Sequence, residues 1–489
     1  MALSLALNTA RSSLQASSSQ LAVVSRNTAG ATDPSYSRKI ATLVTGGGSA
    51  RVSITRASDP ALFFKMLGAT SDLAGKQAIS DGLDRLKQTV SDTALNQSPA
   101  ARIGALNSAL QQYAKEADNP ILAKAVLTRA SDLAAALNDA TKTIQKVRED
   151  ADAEMVESVN RVNDLLRQFE TVNRAVVKGT ASGADVTDSL DTRDHILAQL
   201  SEEMGITIAT RDNNDVAIYT ESGVALFEKT ARSVTFNPTH TYSAGTVGSA
   251  VYIDGVQVTG AGAPMPLHSG RIVGLATVRD DIAPAYQAQL DEVARGLVEA
   301  FAESDQSAVP VLPDSPGLFT YPGGPALPSG AALKGLAGTI SINALVDPDQ
   351  GGNLDLLRDG GVNGASYVYN PSAPGTNAAF SDRLYELGDK IASDRAFDPT
   401  LGLGATASLQ GFAASSAGWL EATRKDAATA ASYQTTLLGR ASEALSNATG
   451  VNTDDETAMM LQLEKSYAAS AKLISVIDEM LRTLLSAVR

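Results

Sequence analysis

Between Ile121 and Val177 the chain contains neither proline nor glycine. Within that stretch Leu133, Leu137, Ala140, Ile144, Val147 and Ala151 recur at spacings of four and three, which places them on one face of an α-helix. Met155, Val159, Val162, Leu166 and Phe169 continue the stripe with one irregular step. At a rise of ~1.5 Å per residue such a helix is about 85 Å long, more than a compact domain needs, and it implies a rod-like bundle. Composition points the same way. Only 5% of the 489 residues are aromatic and one is Trp, so thin helical packing is favoured over one thick core.

The two ends are also regular. Leu3, Leu7, Ala10, Leu14, Ser17, Leu21 and Val24 form a heptad seam, and so do Met460, Leu463, Tyr467, Ser470, Ile474, Ile477, Leu481, Leu484 and Val488. A narrow seam of this kind needs a partner helix. Two packings satisfy it: the ends cover each other within one subunit, or they complete a core against neighbouring subunits. Further helices begin at Ser58-Asp59-Pro60 and Asn119-Pro120, where a capping side chain precedes a proline suited to the first helical position.

After Gly179-Thr-Ala-Ser-Gly183 a helix is expected from about Thr187 to Met204. The pattern then changes to short β-branched segments near 206–210, 216–219, 224–227, 233–236, 250–253 and 256–259, separated by turn residues such as Asp254-Gly255. A helix follows from about Asp281 to Glu303, with Pro284 in its first turn. Residues 305–376 are rich in Pro and Gly and are expected to be irregular with a few strands. Helical pattern resumes from about Asn377, interrupted near Pro399–Gly404 and at Gly450-Val451-Asn452. The fold class is mainly α, an elongated helical bundle built from both chain ends with an inserted β-containing, loop-rich middle. Four parts are expected: 1–58 with 450–489 as a terminal coiled-coil assembly region, 59–204 with 281–304 and 377–449 as a rod-like bundle, 205–280 as a small β module, and 305–376 as an irregular or β region. Both termini are expected at the same end of the rod.

The chemical inventory is thin. A net charge of −14 with scattered Lys and Arg provides no basic footprint for nucleic acid or an anionic membrane. There is no cysteine, and His195, His240 and His268 are too scattered for a zinc site. The first ten residues carry no basic residue, so no cleaved signal peptide is expected. No apolar run approaches eighteen residues. Asp347-Pro-Asp349-Gln-Gly-Gly352-Asn353-Leu-Asp355 resembles a calcium loop, but Arg358 stands where a bidentate Glu is required, and a solvated turn is the better reading. Gly46-Gly47-Gly48-Ser49 lacks the Lys of a phosphate loop and reads as a flexible turn. Asp194 precedes His195 as an orienting carboxylate does in acid–base sites, but no nucleophile accompanies the pair. Glu202-Glu203 and Asp454-Asp455-Glu456 read as helix-start or solvated-face charges. No catalytic, cofactor or metal site emerges.

The two ends do carry a resemblance. Asn8, Leu21, Val24, Ser25, Asn27, Pro34, Tyr36, Ser37 and Arg38 match the N-terminal signature of flagellar rod, hook and hook-associated proteins. Gly450, Val451, Asn452, Asp455, Glu456, Tyr467, Ala468, Ala471, Ile474, Ser475, Asp478, Glu479, Met480, Leu481 and Leu484 are similar to the C-terminal helix of that axial family. Asp188-Ser-Leu-Asp-Thr-Arg193-Asp194-His-Ile-Leu-Ala-Gln-Leu200, the stretch Gly270–Tyr286 and, more weakly, Ser341-Ile-Asn343 resemble its hook-associated branch. Ser35 stands where the family usually has Gly, and Thr28-Ala-Gly30-Ala where it has Ile-Ala-Asn-Ala.

The resemblance implies a structural subunit of the bacterial flagellum at the junction of hook and filament, not an enzyme. It further implies export through the type III channel to the cell exterior and ordering of the ends on assembly. The implied partners are the hook protein, the next hook-associated protein, other copies of the same subunit in a ring, and a cytoplasmic export chaperone that covers the Leu463–Val488 stripe. Subunit packing would then fall on Leu3, Leu7, Leu14, Leu21, Val24, Leu463, Tyr467, Ile474, Ile477, Leu481, Leu484 and Val488. The alternatives are another axial subunit of rod or hook, or a surface adhesin or enzyme that uses the middle region.

Overall fold

The structure, a computed structural model, describes residues 2–46, 49–90, 98–324, 326–372 and 377–487. Helix α1 (Ala2–Gly30) leads into a hairpin of β1 (Lys39–Gly46) and β2 (Ser49–Arg56), paired in unbroken antiparallel register from Lys39↔Arg56 to Gly46↔Ser49. Reading the glycine run as a turn missed these strands; Gly47 and Gly48 lie outside the described residues. Helices α2 (Pro60–Val90), α3 (Pro99–Lys115), α4 (Pro120–Ser182) and α5 (Thr187–Glu203) follow. Each of the first three opens on a proline preceded by a cap. Asp59 accepts from the Leu62 N–H, Ser98 from that of Ala101 and Asn119 from that of Ile121. Helix α4 has 63 residues, longer than its glycine-free stretch. Gly179 lies inside it because a Cβ there would come within 2.3 Å of Val186, and the helix ends only at Gly183, whose φ of +70° is left-handed.

Six short strands follow α5: β3 (Ile206–Thr210), β4 (Val216–Thr220) and β5 (Ala225–Phe227) in one antiparallel sheet, β6 (Val234–Phe236), β7 (Val251–Ile253) and β8 (Val256–Gln257) in another. Asp254 and Gly255 both have positive φ, as a tight β7–β8 hairpin turn requires. The next helix starts at Arg271 instead of near Asp281. Helix α6 (Arg271–Thr277) runs through a π-turn, Val278–Ile282, into α7 (Ala283–Ala300). Pro284 has no N–H for the Asp280 carbonyl, and the backbone widens just before it so that the Ala283 N–H reaches Val278.

The Pro/Gly-rich segment contains a two-stranded pair, β9 (Phe319–Thr320) with β10 (Ser341–Ile342), and one helical turn, α8 (Leu356–Asp359). Helix α9 (Asp382–Ala392), a small β11–β12 pair (Arg395–Ala396, Thr406–Ala407), α10 (Leu409–Thr449) and α11 (Thr453–Ala487) complete the chain. In the calcium-like segment Asp347 caps the Asp349 N–H and Asn353 caps that of Asp355. Arg358 pairs with Asp359.

Two apolar cores share α4 as their spine. The first joins its N-terminal half, Val126 to Val147, to α3, α7, the start of α10 and Phe319, Leu336 and Ile340 of the Pro/Gly-rich segment. The second joins Met155 to Phe169 to α5, the β segments and α6. Where the two cores meet, buried Arg148 and Asp152 lie beside the stripe and meet Arg279 of the π-turn. Asp152 accepts from Arg279 Nη1 at 2.6 Å, the Tyr242 hydroxyl at 2.8 Å and the Thr239 N–H at 2.7 Å. Arg148 donates to the carbonyls of Arg279 and Ser243. Burial and the bond to Asp152 push the Tyr242 phenol up to about 12. Glu203 corrects a second expectation: it is 2% exposed beside Arg161 rather than on a solvated face, and burial raises its pKa.

Candidate functional site: the terminal helix pair and its joint to the body

Helices α1 and α11 pack antiparallel, with Ser13 Oγ 3.2 Å from Ser470 Oγ and Ser17 Oγ 3.4 Å from Ser466 Oγ. The two heptad seams therefore face each other within one subunit. Val24, Leu463 and Ile477 are buried, while Leu7, Leu14, Leu21, Ile474 and Leu481 are half-buried. Tyr467 and Leu484 stay exposed at 42% and 50%. Leu3 lies on α1, but its side chain, like Val488, is outside the described residues. The small seam residues Ala10, Ser17 and Ser470 are buried, so the helices approach closely and bury little area per turn. A second stripe of α11 remains uncovered: Leu473, Val476 and Met480 are 44–57% exposed, and Leu461 and Leu485 are exposed beside it.

At its inner end the pair is bolted to the hairpin by signature residues. Asn27 donates to the Lys39 carbonyl at 2.9 Å and to Glu456 Oε2 at 3.1 Å, and accepts from the Lys39 N–H at 2.8 Å and the Tyr36 hydroxyl at 2.9 Å. Arg38 Nε pairs with Glu456 Oε1 at 2.7 Å. Glu456 lies in the first turn of α11, as a helix-start charge does, but it is buried and specifically paired rather than on a solvated face. Gly30 lies under Tyr36, where a Cβ would be 2.6 Å from the ring. Asp33 accepts from both the N–H and Oγ of Ser35. The turn is tight without the family's usual residues at these positions. Gly30→Val is expected to displace the Tyr36 ring, break its bond to Asn27 and lower the stability of this region by about 1–3 kcal/mol. Faster amide exchange confined to residues 27–39 would show it.

From this bolted unit three cations reach α5 and the turn before it. Arg26 pairs with Asp185 at 3.0 Å and with both carboxylate oxygens of Asp188 at 2.7 and 2.8 Å. The ammonium of Lys39, fully buried, meets Asp191. Arg56 reaches Asp191 at 2.9 Å and Asp194 at 2.5 Å. Burial raises the Asp194 pKa despite Arg56, whereas bonds from Thr187 and Arg26 overcome burial to lower that of Asp185. Asp185, Asp188, Asp191 and Asp194 recur every third residue, a helical row that could have been read as an acidic face awaiting cations. Asp194 does not orient His195, which is exposed beside Gln199. His240 and His268 are also exposed. Among the described residues no group of three or more His, Asp or Glu side chains is placed to hold a metal, and no helix is long and apolar enough to cross a membrane.

A stalk made from both chain ends is thus locked to its hairpin by residues that resemble the axial signature, and it meets a helical body through ion pairs. Residues 442–487 match the family model of the flagellar basal body rod FlgEFG protein C-terminal region. Residues 83–315 match that of the flagellar hook-associated protein FlgK helical domain. The chain is 22% identical over 357 residues to flagellar hook-associated protein 1 of Escherichia coli (strain K12), covering 70% of this chain and 63% of that protein. It is 21% identical over 396 residues to flagellar hook-associated protein 1 of Bacillus subtilis (strain 168), covering 76% and 73%. The flagellar hook junction protein FlgK from Burkholderia pseudomallei aligns structurally with a TM-score of 0.42 at 18% identity, over 53% of this chain and 46% of that one. By these matches the chain is similar to flagellar hook-associated protein 1, a structural protein of the flagellum and not an enzyme, and it spans 63% of the length of the first of these relatives.

Proposed function

We propose that the chain is a structural subunit of the junction between flagellar hook and filament, assembled through α1 and α11. The observation that carries this reading is the open stripe of α11. The seam toward α1 is already occupied, yet Leu473, Val476 and Met480 continue a second three- and four-residue rhythm in water. Burying each of these side chains is worth about 1.5–3 kcal/mol, so they favour a neighbouring helix. The partners are the hook protein, the next hook-associated protein and further copies of this chain in a ring. Before export a cytoplasmic chaperone covers the Leu463–Val488 stripe, and export runs through the type III channel to the cell exterior. Within the subunit, 1–58 with 450–489 act as the assembly region and the β and Pro/Gly-rich parts form the outer surface.

Leu473→Asp with Met480→Asp, expressed in a strain lacking the gene, is expected to leave the isolated subunit's helicity unchanged and to yield hooks that shed filament. Filament retention and motility at the wild-type level would refute the reading. A strain lacking the gene that also loses its hooks would point instead to a rod or hook subunit.

A further inference from the structure

The joint between stalk and body has two kinds of contact. Asn27, Arg38 and Glu456 hold α1, the hairpin and α11 to one another. Arg26, Lys39 and Arg56 instead leave that unit and pair with aspartates of the body. Among the described residues, no side chain of α1, β1, β2 or α11 belongs to either apolar core. Across the joint run these ion pairs and a backbone bond from the Arg38 N–H to the Thr449 carbonyl at 2.8 Å, with no shared apolar core.

The backbone crosses the joint at two short breaks, 57–59 and 450–452. Gly450 leaves the helix in an extended conformation, and a Cβ there would come within 2.5 Å of the Ser446 carbonyl. A cleft of about 660 Å³ lies beside it, between the 30–37 turn, Phe63 and Phe64 of α2 and the end of α10. The stalk thus has room to swing and two points to swing about. A bolt inside the moving part and ion pairs across the gap is the arrangement a hinge requires if neither side is to unfold.

We propose that the pairs of Arg26, Lys39 and Arg56 with Asp185, Asp188, Asp191 and Asp194 form an ionic latch. It sets the angle between the terminal helix pair and the body, and it releases that angle, with both parts folded, when its charges are neutralised. The latch belongs to the isolated subunit and holds whichever assembly the stalk enters, so its test is separate from that of the proposed function.

The chain has no cysteine, so Lys178→Cys on α4 and Lys465→Cys on α11 provide two unique spin-label sites on the full-length protein. Pulsed electron–electron distance measurement is expected to show one narrow distribution. Asp188→Asn with Asp191→Asn, which keeps shape and removes charge, is expected to broaden it about twofold. Asp188→Glu with Asp191→Glu, which keeps the charge, is expected to leave it narrow. An unchanged distribution in the Asn pair overturns the latch, and so does equal broadening in the Glu pair. Loss of amide protection within α1 or α11 in the Asn pair also overturns it, because the ion pairs would then be holding the fold and not the angle.

Discussion

Asp152→Ala is expected to destabilise the body by about 3–5 kcal/mol, the usual cost of removing one partner from a buried ion pair. The loss is large because Asp152 satisfies three donors at once, Arg279, Tyr242 and the Thr239 N–H, and each is left facing protein rather than water. Arg279, 0% exposed, retains Asp280, but its guanidinium loses its partner on α4 and only its carbonyl still meets that helix, through Arg148. At about 2–4 °C per kcal/mol for a body of this size, the melting temperature falls by roughly 10 °C. The layer lies between two cores, so the two are expected to separate in their unfolding. Trp419 packs against the first core and stacks on Tyr286; its fluorescence midpoint moves less than the far-ultraviolet circular dichroism midpoint, which follows both. Asp152→Leu with Arg279→Met removes both charges and is expected to recover part of the loss. A shift in Asp152→Ala below about 1 kcal/mol would mean that the layer contributes no net stability.

This layer also shows where the sequence could be read and where it could not. The four-three rhythm of Leu133 to Phe169 is a property of one helix, and local spacing is enough to predict its buried face; every one of those positions is buried. Arg148 and Asp152 flank the rhythm, and their partners Arg279 and Tyr242 are about ninety to one hundred and thirty residues away; no local pattern encodes which charges will meet. Glu203 and Glu456 fail for the same reason. An acidic residue at a helix end is ordinarily solvated, and only the long-range approach of Arg161 or Arg38 makes it a buried partner. The hairpin of β1 and β2 was accessible, since β-branched residues alternate on both sides of the glycine run. At the joint the signature residues were legible only as a likeness. Their physical role depends on Asn27, Lys39 and Glu456 meeting across more than four hundred residues of chain.

The terminal pair answers a different question, whether the ends are folded before they find neighbours. Ile477→Asp places a charge at a position 6% exposed against α1, removing about 1.5–3 kcal/mol of apolar burial and adding the penalty of an unpaired buried charge. The seam is thin, with Ala10, Ser17 and Ser470 at its centre, and neither core reaches it. Little else opposes opening. Amide exchange across residues 2–30 and 453–487 is expected to accelerate on the order of a hundredfold, while α4 keeps its protection. Met480→Asp, on the open stripe, is expected to leave exchange in the free subunit unchanged. If both substitutions accelerate exchange equally, the two faces of α11 are equivalent in the monomer and the α1 seam is not its resting partner. If only Ile477→Asp does, the stalk is a preformed pair, and assembly adds contacts to its open face without having to fold the ends from disorder.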